Sequence, residues 1–158
     1  METTRLLGLV ALTALIACAT EKAAPAAPRV FTVSLTPGAG TPPCASAGAN
    51  ASGTATITVA PDDSSITATV SYTGLSGEPT GAHLHSGPAS APGPMVLPFS
   101  GSLASPFSKT FTAADYVAAP GAPPDFRSFV TALKGGGAAY VNVHTAACKP
   151  GEIRGEVQ

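Results

Sequence analysis

Two stretches of regular alternation constrain this chain more than anything else in it. Between Gly53 and Ala60, the residues Ala55, Ile57 and Val59 fall on one side of an extended chain and Thr54, Thr56 and Thr58 on the other. From Ser65 to Thr73 the arrangement repeats, with Ile66, Ala68, Val70 and Tyr72 sharing a side. A strand sends successive side chains to opposite faces, so this period of two predicts a pair of half-buried strands. Pro61-Asp62-Asp63-Ser64 supplies turn chemistry between them and closes the pair into a hairpin. Further strands are predicted at Val30–Thr36, Gly81–His85, Met95–Ser100, Phe107–Phe111, Ala138–His144 and Glu152–Val157, with Gly and Pro recurring between them. Many short strands separated by turn residues predict an all-β fold, an antiparallel Greek-key sandwich or barrel.

Helix has little room. Thr112–Val117 opens on a threonine with Asp115 three residues later, which allows one short turn. In Asp125–Lys134 the aspartate is placed to cap a helix whose Phe126, Phe129, Val130 and Leu133 form a core-facing stripe, with Gly135 ending it. One or two short helices are therefore expected, closing an end or side of the sheets.

The N-terminal residues predict export. Arg5 is followed by an apolar run, Leu6 to Ile16, about eleven residues where a membrane-spanning helix needs about twenty. Residues 1–17 therefore read as a removable signal peptide. Leu15-Ile16-Ala17-Cys18 resembles the bacterial lipobox, which implies that Cys18 carries diacylglycerol and becomes the first residue of the mature protein. Its partner is then the membrane, and Ala19 in place of an aspartate implies the outer membrane if the cell is Gram-negative. Residues 18–29, rich in Ala and Pro, cannot bury a core and read as a tether. Residues 30–158 are long enough for one domain.

Charged residues are only 11% of the chain and the net charge is −1. Without a basic patch, nucleic-acid binding lacks its main energetic source, and none is expected. With Cys18 assigned to lipid, Cys44 and Cys148 remain in an oxidising compartment, where a disulfide is the default pairing. The competing reading makes Cys148, four residues after His144, a metal thiolate.

The chemistry concentrates in three segments. In Gly81-Ala82-His83-Leu84-His85 the two imidazoles share one strand face. In Tyr140-Val141-Asn142-Val143-His144-Thr145 the valines alternate against Tyr140, Asn142 and His144. In Glu152-Ile153-Arg154-Gly155-Glu156-Val157 the aliphatic residues oppose Glu152, Arg154 and Glu156. If the aliphatic sides face a common core, the opposite surface collects His83, His85, His144, Asn142, Glu152 and Arg154. Three neutral imidazoles suit copper or zinc with a coordination position left open. The alternative is a polar layer in which the histidines bond to Asn142, Glu152 and Arg154 and fix strand register. A third reading has them contact an extracytoplasmic protein, glycan or small ligand.

The segments Ala82-His83-Leu84-His85-Ser86-Gly87-Pro88-Ala89, Tyr140-Val141-Asn142-Val143-His144-Thr145 and Gly151-Glu152-Ile153-Arg154-Gly155, in that order, closely resemble the CHRD domain, the module named after chordin. The resemblance spans about Phe31 to Gln158 and implies a fold and a site but no activity. Chordin's growth-factor ligands do not transfer to a bacterium. His-x-His on a strand is also similar to the copper-binding strand of Cu/Zn superoxide dismutase. That enzyme uses further histidines, one bridging two metals, whereas this chain has three in all, so dismutation is disfavoured. No Gly-x-Ser-x-Gly elbow, phosphate loop, His-Glu-x-x-His helix or Cys-x-x-Cys pair is present, and no residue is assigned a catalytic role. The expectation is a lipid-anchored binding module of the cell envelope with a histidine-rich polar site and an open choice of ligand, copper or zinc being the alternative.

Overall fold

The computed structural model describes residues 26–39 and 42–158. The expected signal peptide, Cys18 and most of the tether lie outside them. Eight strands form: β1 (Arg29–Leu35), β2 (Ser52–Val59), β3 (Ile66–Thr73), β4 (Pro79–Ser86), β5 (Met95–Pro98), β6 (Phe107–Phe111), β7 (Ala139–Thr145) and β8 (Ile153–Glu156). The single α-helix among the described residues, α1 (Phe126–Gly135), joins β6 to β7. All strand pairing is antiparallel, in two four-stranded sheets ordered β1-β2-β3-β6 and β5-β4-β7-β8. The chain is thus a β-sandwich. The hairpin β4-β5 sits in the second sheet while β6 returns to pair with β3 in the first, so the chain crosses between sheets. At one corner Thr36 and Arg154 exchange backbone hydrogen bonds of 3.0 Å and stitch β1 to β8.

The alternation decides the core. Phe31, Val33 and Leu35 of β1, Ala55, Ile57 and Val59 of β2, and Ile66, Ala68 and Val70 of β3 point inward and are buried. They meet Ala82 and Leu84 of β4, Val141 and Val143 of β7, and Ile153 of β8 from the facing sheet. Burying an aliphatic side chain of this size is worth about 1.5–3 kcal/mol, which makes the inward register of each strand hard to slip.

α1 follows from its cap and its stripe. Asp125 accepts a hydrogen bond from the Ser128 amide at 2.8 Å, and Phe126, Phe129, Val130 and Leu133 are buried against the core. Lys134 pairs with Asp63 at 2.6 Å, tying the helix to the β2-β3 turn and so to one end of the sandwich. The predicted turn after Thr112 is a 3-10 turn, Ala113–Asp115, where Asp115 Oδ2 accepts from the Thr112 amide at 3.0 Å. Edge strand β6 carries Lys109 among its core-side positions, with Nζ on Asp115 at 2.9 Å and on the Pro98 carbonyl at 3.2 Å. An inward charge on an edge strand discourages pairing with a second sheet.

Cys44 and Cys148 form a disulfide with Cα atoms 5.6 Å apart. Cys148 is therefore not a free thiolate. The bond ties the β1-β2 connection to the β7-β8 loop across 104 residues.

Candidate functional site

The outer face of the second sheet is built by register. His83 lies opposite Asn142, His144 opposite Gly81, His85 opposite Tyr140, and Asn142 opposite Arg154. Cross-strand partners share a face, so these side chains emerge together, turned away from the valines.

The three histidines converge. One nitrogen from each of His83, His85 and His144 lies within 4.8 Å of the others. Three points so spaced share a position within about 2.8 Å of all of them, and small side-chain movements shorten that to the roughly 2.0–2.1 Å of an imidazole–metal bond. His85 Nδ1 bonds the Gly93 carbonyl at 2.9 Å and His144 Nδ1 the Lys149 carbonyl at 2.7 Å. A carbonyl only accepts, so both Nδ1 atoms carry the proton and both Nε2 atoms keep a lone pair. His83 Nδ1 sits 3.1 Å from His144 Nε2 and donates to it. His85 Nε2 is buried with no hydrogen-bond partner. Such backbone braces fix ring orientation and tautomer in metal-ligating histidines.

The electrostatics keep the cluster neutral. Burial pushes the His83 pKa down to about 4, helped by repulsion from His144 and His85. Burial also lowers His85, with repulsion from His144 and Arg154, against the opposing bond to Gly93. His144 is lowered by burial and Arg154 despite its bond to Lys149. Metal binding requires the unprotonated imidazole, and here all three hold that form near neutral pH.

Around the cluster the polar residues do something other than bond to the histidines. Asn142 Nδ2 donates to the Pro150 carbonyl at 2.9 Å, and its Oδ1 is buried without a partner. Gly151, at φ +121°, lets the loop pass over that amide, since a Cβ there would fall on the Asn142 side chain. Arg154 is 4% exposed; NH1 donates to the Ala89 carbonyl at 3.1 Å while Nε is unpartnered. Its guanidinium lies 4.3 Å from the Tyr140 ring centre, and Tyr140 stacks on His85 at 4.6 Å with ring planes 8° apart. Tyr140 holds the loop after β4 in turn: Gly93 N–H donates to its hydroxyl at 2.9 Å. A Cβ on Gly93 would collide with the Ser86 carbonyl, so glycine is required for this approach.

Glu152 stands elsewhere, a correction to the parity argument. β8 begins at Ile153, so Glu152 lies outside the alternation. Its carboxylate accepts from Gly48 N–H at 2.9 Å, Ser76 N–H at 2.6 Å, Ser76 Oγ at 2.6 Å and Thr145 Oγ1 at 2.6 Å. Burial pushes its pKa up, but these donors outweigh that and hold the carboxyl below its ordinary value. Glu152 clamps the loops before β2 and β4; the histidines bond to none of Asn142, Glu152 or Arg154. The sequence reading missed Tyr140 as the stacking partner of His85, although its place two residues before Asn142 put it on that face. The bracing carbonyls of Gly93, Lys149 and Ala89 carry no side-chain signal that could have revealed them.

A wide groove lies apart from this chemistry. It encloses about 510 Å³ on the first sheet, beside Ser34, Thr36, Thr54, Ser71 and Tyr72, and includes no histidine. It is open, and its lining exposes more apolar than polar surface despite its Ser and Thr residues, whereas the orphaned polar atoms among the described residues are on the second sheet, so the histidine face is the better candidate.

The chain is an antiparallel β-sandwich with three imidazoles gathered on one outer face of its second sheet. More narrowly, the CHRD domain family model matches residues 31–157, and the chain belongs to the CHRD family. Comparison with curated proteins and with solved structures gave no match.

Proposed function

We propose that this protein is an exported, lipid-anchored CHRD module that binds a transition-metal ion, copper or zinc, through His83, His85 and His144. The observation that carries the metal reading is the convergence of three ligand nitrogens within 4.8 Å, two of them from rings braced at Nδ1 by backbone carbonyls. A polar layer serving only strand register would pair its members with one another. Here only His83 and His144 do so, and the acceptor atoms His85 Nε2 and Asn142 Oδ1 on this face are buried without partners. An unmade bond to a buried polar group costs about 1–3 kcal/mol, which a ligand at this face offsets. Three protein ligands leave room for a further donor. A metal held so would lie at the sheet surface beneath the loops after β4 and β7, where a partner molecule could reach it.

Titration of the full chain with Cu(I) under anaerobic reducing conditions, with Cu(II) and with Zn(II) tests this. At a free-metal concentration 100 times Kd, folding stability should rise by about 2.7 kcal/mol. His83→Ala, His85→Ala and His144→Ala should each abolish most of that gain. An unchanged melting temperature and no metal retained after desalting would refute the metal reading.

The anchor rests on Leu15-Ile16-Ala17-Cys18. The full-length product should fractionate with membranes and Cys18→Ala should release it; equal membrane association of both would end the lipid assignment. No helix among the described residues is long and apolar enough to cross a membrane.

A further inference from the structure

We propose that the thioether of Met95 is the fourth donor of the histidine centre, and that the centre is thereby a copper(I) site. This rests on the metal reading above and names the metal's oxidation state and its missing ligand.

The placement of Met95 comes from an irregularity in the sheet. Leu97 of β5 pairs with Leu84 of β4, and both are fully buried on the core side. Regular alternation would bring Met95, two residues earlier, to that same core side. Instead the register shifts between Leu84 and His85, and the partner of His85 is Met95. Val96 is the extra residue, and it is buried too, so two successive residues of β5 face the core. A bulge of this kind re-aims the side chains beyond it. It moves Met95 from the core to the outer face, beside His85. Met95 is half-buried and stands outside the hydrophobic core cluster.

Cross-strand partners have Cβ atoms about 4.5–5.5 Å apart. Methionine is unbranched with three rotatable bonds, so its sulfur can swing from there toward a neighbour's ring nitrogen. Met95 also follows Gly93 and Pro94 directly, and Gly93 braces His85 through its carbonyl. The bulge therefore sets the brace and the thioether on one short segment.

The donor set then selects the metal. Thioether sulfur is soft and prefers copper(I), while imidazole accepts either copper or zinc. The histidine cluster contains no carboxylate to neutralise a dipositive ion. It has a buried cation close by instead, with Arg154 over Tyr140 and Tyr140 stacked on His85. Positive charge at that distance disfavours a dipositive ion more than a monopositive one. No electron transfer is invoked; the inference concerns which ion is held.

The chain has two methionines, Met1 and Met95, which makes the test simple. The full chain is labelled with [13C-methyl]methionine and titrated anaerobically with Cu(I) kept reduced by ascorbate, then separately with Zn(II). The Met95 methyl resonance, assigned by its loss in Met95→Leu, should shift in step with the histidine ring resonances under Cu(I). In competition with a Cu(I) chelator, Met95→Leu should weaken Cu(I) binding tenfold or more and Zn(II) binding less than twofold. Met95→His should recover affinity but move the preference toward Zn(II), a result that a merely structural methionine would not produce. An unmoved Met95 methyl with unchanged Cu(I) affinity in Met95→Leu, while the histidine resonances still respond, overturns the thioether and leaves the metal reading intact. Histidine resonances that respond to neither ion overturn both.

Discussion

The outer faces of the two sheets are made by the same pleat and end in opposite states. On the first sheet most outward positions are hydroxyls, Val30 being an exposed exception, and several satisfy one another: Thr67 Oγ1 meets Thr110 Oγ1 at 2.9 Å and Thr69 Oγ1 meets Ser108 Oγ at 2.9 Å. On the second sheet the outward positions include His83, His85, Tyr140, Asn142, His144 and Arg154. The loops after β4 and β7 close over them, and His85 Nε2, Asn142 Oδ1 and Arg154 Nε are left without partners. The second face depends on two loops for its order.

Removing the disulfide is the hardest blow to that contrast, because Cys148 pins the loop whose Lys149 and Pro150 carbonyls hold His144 and Asn142. Cross-linking a loop of about a hundred residues is worth on the order of 4 kcal/mol in the chain-entropy account. Cys44→Ser with Cys148→Ser should therefore lower unfolding free energy by about that amount in urea denaturation and weaken metal binding as well. A loss under about 1 kcal/mol with unchanged metal affinity would show that the second face holds itself together as the first does.

Acid should separate the faces next. An unfolded His83 takes a proton below its ordinary value of 6.5, whereas the folded one resists until about 4. The unfolded state then binds more protons across that window, so stability is full above 6.5 and falls as the pH drops toward 4, by roughly 1–2 kcal/mol for the partly exposed His83 ring. His85 and His144 act in the same direction. Glu152, depressed below 4.5, adds its own loss at still lower pH. Urea denaturation of metal-free protein at several pH values measures the slope, which His83→Gln should flatten between 6.5 and 4. The smallest effect belongs to the other sheet: Thr69→Val should change stability by no more than about 0.5 kcal/mol and leave the pH slope untouched. A flat wild-type profile, or a pH slope that follows Thr69, would remove the distinction between the faces.

Much of this was legible beforehand because it is local. Eight strands, the Asp125-capped helix and the inward set Ala55, Ile57, Val59, Ile66, Ala68 and Val70 follow from a period of two or of 3.6, which neighbouring residues alone express. The common face of His83, His85 and His144 needed one further step, that β4 and β7 join one sheet, and the buried valines opposite His144 made that the consistent choice.

What the chain's own order determined, then, was the alternation, the helix and the segments that carry chemistry, since each is written in residues a few positions apart. The tertiary structure alone decided the rest. It turned Glu152 out of β8 to clamp Gly48, Ser76 and Thr145, folded two loops back so that their carbonyls brace two imidazoles, and paired Met95 with His85 through a bulge at Val96. Each of these depends on a backbone group or a register shift brought close by folding, and a backbone carbonyl or a one-residue bulge leaves no mark in the identity of the side chains that reveal the strands.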